Sequence, residues 1–175
     1  MVSVDNPVPE DFTSHYDRKE QGLVVDYVII MGYDEHYVGS DAGSVASLPW
    51  VEQGVQDTIA EVTSERTILA IPFYTRLWKT TGGAVTSEAI GMDEAQNVLS
   101  TNGVEVAWDG SVGQNYATFE QDNSTYQIWL EDAQSIAEKV KLIQKYNLAG
   151  VAQWKLGFEN SSIWQTISDN LQAAS

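Results

Sequence analysis

The run Val24-Val-Asp-Tyr-Val-Ile-Ile-Met constrains this chain more than any other stretch. Val24, Val25, Val28, Ile29 and Ile30 favour a pleated backbone, and their density predicts a strand over Val24–Met31 buried on both faces. A cluster follows at once: Met31, Tyr33, Asp34, Glu35 and His36. A buried strand with polar groups at its C-terminal end is how α/β barrels present chemistry at one face. The same residues serve equally to cap a strand and open a turn, so this stretch alone does not decide.

The rest of the chain repeats the pattern. Val2–Val4 reads as a short strand stopped by Asn6-Pro7 and Pro9. Asp11–Gln21, with Phe12 and Tyr16 four apart, predicts a short helix ending at Gly22. Ser47, Pro49 and Glu52 mark a helix start, and Val51, Val55, Ile59 and Val62 form one face of a helix over Pro49–Val62. Thr67-Ile-Leu-Ala-Ile-Pro-Phe-Tyr is a second buried strand, ending in Phe73, Tyr74, Arg76 and Trp78. Then come a helix over Met92–Ser100 and three β-like runs, Val104–Trp108, Gln114–Glu120 and Thr125–Leu130. The pairs Asp109-Gly110 and Asp122-Asn123 separate these runs as hairpin turns. Glu131-Asp132 opens a helix to about Tyr146 with Ile136, Val140, Ile143 and Leu142 on its apolar stripe and Asn147 as its cap. Leu148–Trp154 is a third strand. Asn160 or Ser161 caps a last helix over Ser162–Leu171 that buries Ile163, Trp164 and Ile167. The order β-α-β-α-β-(small α+β)-α-β-α predicts a parallel sheet with crossover helices.

Composition narrows the partners. In 175 residues there are 25 Asp and Glu against 9 Lys and Arg, a formal charge of −16. That field repels nucleic acid and anionic membrane, and it favours neutral or cationic ligands. Cys is absent, so disulfides and Cys-ligated zinc are excluded. No apolar stretch approaches membrane-spanning length, and the N-terminus does not read as a signal peptide. No metal or organic cofactor is implied.

In a parallel sheet all C-terminal strand ends lie on one edge, which predicts that Tyr33, Asp34, Tyr74, Arg76 and Trp154 converge. Each has a plain alternative. Tyr33 can be a core aromatic, Arg76 can pair with a carboxylate such as Asp34, and Trp154 can fill the end of the core. Together, two tyrosines, a carboxylate, an arginine and a tryptophan suit a neutral, hydroxyl-rich ligand with an apolar face, which is a carbohydrate.

Three segments then carry a resemblance. Met31-Gly-Tyr-Asp resembles the Met-x-Tyr-Asp motif on the sixth strand of glycoside hydrolase family 18. Ala70-Ile-Pro-Phe-Tyr-Thr-Arg is similar to that family's seventh strand, and Gly150-Val-Ala-Gln-Trp to its eighth. Met31–Tyr37, Gly43–Glu52 and Ile71–Lys79 are most similar to bacterial spore-cortex and cell-wall members. The resemblance implies a substrate of β-1,4-linked N-acetylglucosamine polymers, chitin or peptidoglycan, and substrate-assisted retention, an exception to the two-carboxylate scheme. It implies that Tyr33 bonds the N-acetyl carbonyl as that oxygen attacks the anomeric carbon. Met31 and Asp34 belong to the same motif, and Asp34 would contact sugar hydroxyls. Tyr74 and Arg76 would line the leaving-group side, Trp154 would form the floor, and Trp78 is a weaker candidate for a sugar platform. It also implies work outside the cytoplasm, at the cell wall or in the spore coat.

The family's general acid, the Glu of an Asp-x-x-Asp-x-Asp-x-Glu motif on the fourth strand, is missing from this sequence. Glu35 lies on the wrong strand for it. The expected fold is therefore α/β, the C-terminal half (strands five to eight) of a (β/α)8 barrel, with an α+β insertion over 79–130 between strand seven and its helix. Proton donation to the leaving oxygen is worth roughly 10²–10⁴-fold in rate, so the isolated chain is expected to be inert. The alternative is a non-catalytic lectin of the same fold. Open sheet edges near Val4 and Val151 predict that two chains associate.

Overall fold

The computed structural model describes Val2–Ser3 and Asp17–Gln172. Two sheets organise these residues. The first is parallel, in the order β1 (Val2–Ser3), β2 (Val28–Met31), β3 (Thr67–Pro72) and β9 (Gly150–Trp154). Its registers pair Ile30 with Leu69, Met31 with Ala70, and Pro72 with Trp154. The second is antiparallel, in the order β5 (Ala84–Gly91), β4 (Tyr74–Thr81), β8 (Ser124–Leu130), β7 (Gln114–Gln121) and β6 (Ala107–Asp109).

Helices α1 (Arg18–Val24), α2 (Leu48–Glu61), α4 (Ala133–Lys145) and α5 (Ile163–Gln172) accompany the parallel sheet. Helix α3 (Met92–Asn102) packs on the antiparallel one. Alternation along the strands explains the main core. Val28 and Ile30 of β2 and Leu69 and Ile71 of β3 meet Val51 and Val55 of α2 and Ile136 and Val140 of α4. On the other face Ile29, Met31, Ile68 and Ala152 are only half-buried. The second core joins Ile90, Ala117, Ile128 and Leu130 to Ala95 and Leu99 of α3.

The structure corrects several boundaries. The predicted strand from Val24 is four residues shorter, because Asp17 accepts a bond from the Glu20 N–H and caps α1 through Val24. Val24 is 83% exposed rather than buried on two faces, and Gly22 lies inside the helix rather than after it. The part of the predicted helix over 11–16, like Val4, lies outside the described residues. Trp164, predicted as buried, is 40% exposed, although its ring meets Phe73 edge-on at 5.4 Å. The run predicted at Val104–Trp108 forms a strand only over Ala107–Asp109.

The largest miss is β5. Gly82 and Gly83, both at positive φ, turn β4 into an eight-residue hairpin partner over Ala84–Gly91. A Gly-Gly pair between Thr-rich runs is a hairpin signal that was available in the sequence. Tyr74 and Arg76 accordingly open a strand of the second sheet rather than close one of the first. Fully buried Phe73 is the corner, its N–H bonded to the Trp154 carbonyl at 2.8 Å.

Helix ends follow their caps. Asp132 accepts from the Gln134 and Ser135 N–H groups, and Ser135 Oγ in turn accepts from the Asp132 N–H, closing a capping box. Ser47 caps α2 by backbone, with Pro49 in the first turn. Its own N–H and hydroxyl bond to the Glu35 carboxylate at 2.7 and 2.9 Å.

Candidate active site

The C-terminal ends of β2 and β9 and the start of β4 bring four of the expected residues into contact. Tyr33 lies against Trp154, ring centroids 6.4 Å apart at 29°, and against Tyr74 edge-on at 6.2 Å. The Tyr74 hydroxyl donates a short hydrogen bond to Asp34 Oδ1. Phe158, which sequence reasoning did not single out, packs against Tyr74 with ring centroids 6.4 Å apart. Its carbonyl accepts from the Met92 N–H at the start of α3 at 2.8 Å.

The rings differ in exposure, and that difference shapes the site. Tyr33 and Tyr74 are buried, whereas Trp154 is 48% exposed and offers a flat apolar surface to solvent. The Trp154–Lys155 peptide is cis. Asp34 holds φ at +66°, the left-handed region that aspartate tolerates better than most side chains. That turn lifts the carboxylate from the strand end toward Tyr74.

Burial raises the Tyr33 pKa, with the charge of Asp34 adding to it. Tyr74 is pushed above the ordinary phenol range, first by burial, then by its bond to Asp34 and the charge of that carboxylate; nearby Arg76 opposes the shift. Both hydroxyls are therefore donors across the working pH range. The unfolded chain loses these protons near pH 10, the ordinary range of a phenol, while the folded chain holds them to higher pH. Their contribution is full below that pH and falls as pH rises through it, for Tyr74 by about 1.4 kcal/mol per pH unit, with Tyr33 adding in the same direction. Urea unfolding at pH 9, 10 and 11 should show this decline, and Tyr74→Phe should remove part of the slope.

The remaining candidates are placed differently. Met31 is half-buried on the open face of the parallel sheet. Arg76 donates to Ser87 Oγ at 3.1 Å rather than pairing with Asp34. Trp78 is 1% exposed, and its indole N–H donates to the Gly43 carbonyl at 2.9 Å. A ring with no exposed face cannot be a sugar platform, so that expectation is corrected. Its burial follows from the loop after β2. His36 packs where a Gly43 side chain would lie, which lets the chain approach β4 closely. Among the described residues no three His, Asp or Glu side chains are grouped to hold a metal ion.

Comparison with known proteins identifies the family. The family model described as "Glycosyl hydrolases family 18" matches residues 2–159. The chain belongs to glycoside hydrolase family 18. It is 26% identical over 157 residues to the cortical fragment-lytic enzyme of Bacillus subtilis (strain 168), covering 88% of this chain and 36% of that protein. It is 27% identical over 159 residues to the glycosylase YvbX of the same organism, covering 90% and 46%. The chitinase of Chromobacterium violaceum ATCC 12472 superposes with a TM-score of 0.88 at 25% identity, covering 98% of this chain and 54% of that one. The spore cortex-lytic enzyme SleL of Bacillus megaterium QM B1551 shares the fold, with a TM-score of 0.84 over 97% of this chain and 40% of its own. The chain thus spans less than half the length of these curated relatives.

Proposed function

We propose that this chain forms the N-acetyl-binding side of a family 18 glycosidase acting on β-1,4-linked N-acetylglucosamine polymers, chitin or peptidoglycan. The observation that carries the reading is the Tyr33–Trp154 ring pair beside the Tyr74–Asp34 bond, all at one edge of a parallel sheet. In this reading Trp154 is the floor under the sugar. The Tyr33 hydroxyl holds the acetamido carbonyl as its oxygen attacks the anomeric carbon. Asp34, oriented by Tyr74, contacts sugar hydroxyls, and Met31 and Arg76 line the walls. Strands β1, β2, β3 and β9 take the places of strands five to eight of a (β/α)8 barrel, with residues 79–130 inserted after the seventh. The share of the solved chitinase that the chain covers, 54%, supports that placement. The names of the relatives support a place at the cell wall or in the spore.

The same reading leaves the leaving-group proton without a donor in this chain. Glu35, the acidic neighbour of the motif, holds the Ser47 N–H and hydroxyl at the start of α2. Hydrolysis then needs a glutamate from outside these 175 residues, and the half-buried sheet face with Ile29, Met31 and Ile68 needs a partner surface. Association of two chains would cover it. The absent acid does not separate this reading from a carbohydrate-binding lectin of the same fold.

Hydrolysis of a chromogenic chitobioside, by this chain and by a full-length parent, tests the proposal. The parent is expected to be active and this chain inert. In the parent, Tyr33→Phe should lower kcat by about 10²–10³-fold, as removal of one oxyanion-type donor does. Hydrolysis by the isolated chain would overturn the assignment of the acid.

A further inference from the structure

Asp34 is the exposed residue in a run that is otherwise covered. Gly32 and Tyr33 before it are buried, and Glu35 and His36 after it are half-buried. Its backbone holds the left-handed φ of +66°. A residue other than glycine stays in that region where its neighbours hold it there. On the strand side the Gly32 N–H donates to the Ala70 carbonyl at 2.8 Å, continuing the ladder between β2 and β3. On the other side the Glu35 and His36 N–H groups donate to the Val45 and Ser44 carbonyls at 3.0 and 3.2 Å.

Residues 43–47 are themselves buried, and they lead straight into α2. That helix starts in an unusual way. The side chain of Ser47, at the cap position, makes no capping bond. The third helical residue is Trp50, which cannot supply the carboxylate of a capping box. Glu35 supplies it from another part of the chain. Its oxygens accept from the Ser47 N–H at 2.7 Å and from the Ser47 hydroxyl at 2.9 Å. A carboxylate is favoured at a helix start, and charge-assisted bonds are about twice as strong as neutral ones. Helix α2 is in turn seated in the main core through Val51 and Val55. The residue directly after Asp34 is thus anchored to a core helix.

We propose that Glu35 is a positioning residue of the candidate site: its clasp on Ser47 holds the turn at Asp34 and so aims the Asp34 carboxylate at Tyr74 and at a bound sugar. This rests on the carbohydrate reading above and adds to it the group that fixes the geometry of Asp34. Tyr74 holds the carboxylate by its tip. Glu35 holds the backbone that carries it. With the clasp cut, the turn relaxes to an ordinary φ and the carboxylate swings away from the Tyr74 hydroxyl.

The same bonds would also serve a Glu35 that does nothing but start α2. A double-mutant cycle separates the two roles. A helix-starting role acts independently of Asp34, so its effect on binding adds to that of losing Asp34. A positioning role acts through Asp34 and vanishes once Asp34 is gone.

The test is an NMR titration of the 175-residue chain with di-N-acetylchitobiose, following the Trp154 indole signal. The Tyr74 Cζ signal is read in the same samples before sugar is added. Asp34→Ala and Glu35→Ala should each weaken binding by about tenfold, the loss of one charge-assisted contact. Asp34→Ala/Glu35→Ala should bind no more weakly than Asp34→Ala. Glu35→Gln can still accept from the Ser47 N–H and donate to its hydroxyl, and should keep most of the affinity. The Tyr74 signal should move in Glu35→Ala toward its position in Asp34→Ala. If Glu35→Ala does not fold, Ser47→Ala takes its place: it cuts the hydroxyl's bond, keeps the backbone one, and should show the same changes in smaller measure. Unchanged affinity and an unmoved Tyr74 signal in the folded variant overturn the positioning role and leave the carbohydrate reading standing. Losses that add in full in the double variant do the same. No binding by the unaltered chain removes the carbohydrate reading and this inference with it.

Discussion

Replacing Lys139 with methionine is expected to lower the free energy of unfolding by about 3–5 kcal/mol, because it strands a buried carboxylate. Lys139 and Glu131 are fully buried, 2.9 Å apart at the closest oxygen and 3.1 Å at the other. Around them Gln114 Nε2 and Ser135 Oγ each donate to Glu131 at 2.8 Å, and Ser44 Oγ donates to Gln114 Oε1. Burial raises the Glu131 pKa, against the opposing pull of the Lys139 ammonium and the Ser135 hydroxyl. Four separate segments meet here: the loop after β2, strand β7, the end of β8 and helix α4. The cluster therefore ties the second sheet to the first. Urea unfolding of Lys139→Met and Glu131→Gln would measure the loss. The double replacement Glu131→Leu/Lys139→Met should recover much of it, since a buried pair exchanged for apolar groups is often neutral. If Lys139→Met cost less than about 1 kcal/mol, the pair would not be the tie described here.

Trp78→Ala should cost about 3–5 kcal/mol, the range for emptying a large aromatic site in a core. Trp78→Phe should cost less in packing while leaving the Gly43 carbonyl without its donor. The two readings of this residue separate cleanly in such an experiment. A buried anchor changes the urea midpoint and leaves the affinity of the folded protein for di-N-acetylchitobiose nearly unchanged. A sugar platform would do the reverse. Trp154→Ala is the natural contrast: its half-exposed ring should contribute little to stability and much to binding.

Much of the parallel sheet was legible because its signals are local. The β-branched runs at Val28–Met31 and Thr67–Pro72 hold their strands wherever they pack, and Ser47-Leu-Pro, Asp132 and Asn147 start or stop helices by bonds to near neighbours. The polar and aromatic groups at the strand ends were legible for the same reason. Parallel strands share an edge, so Tyr33, Asp34 and Trp154 had to lie near one another once the strand order was known. Val24 and Val25 misled because β-propensity measures how well a residue fits a half-buried pleat, and a capped helix claimed the first of them.

What the sequence alone determined, then, is the family, the βα order and the presence of an aromatic edge without its acid. The tertiary structure decided which way individual side chains face and what they meet. Trp78 and Trp154 carry equal local promise, yet the loop at Gly43 closes over one while the other stays half-exposed beside Tyr33. Glu131 and Lys139 lie eight residues apart, and only the meeting of two sheets makes them a buried pair. Arg76 donates to Ser87, while Asp34 is held by the Tyr74 hydroxyl. Propensity and spacing act along the chain, whereas burial and pairing are set by distant segments, and so they appear only when the fold is complete.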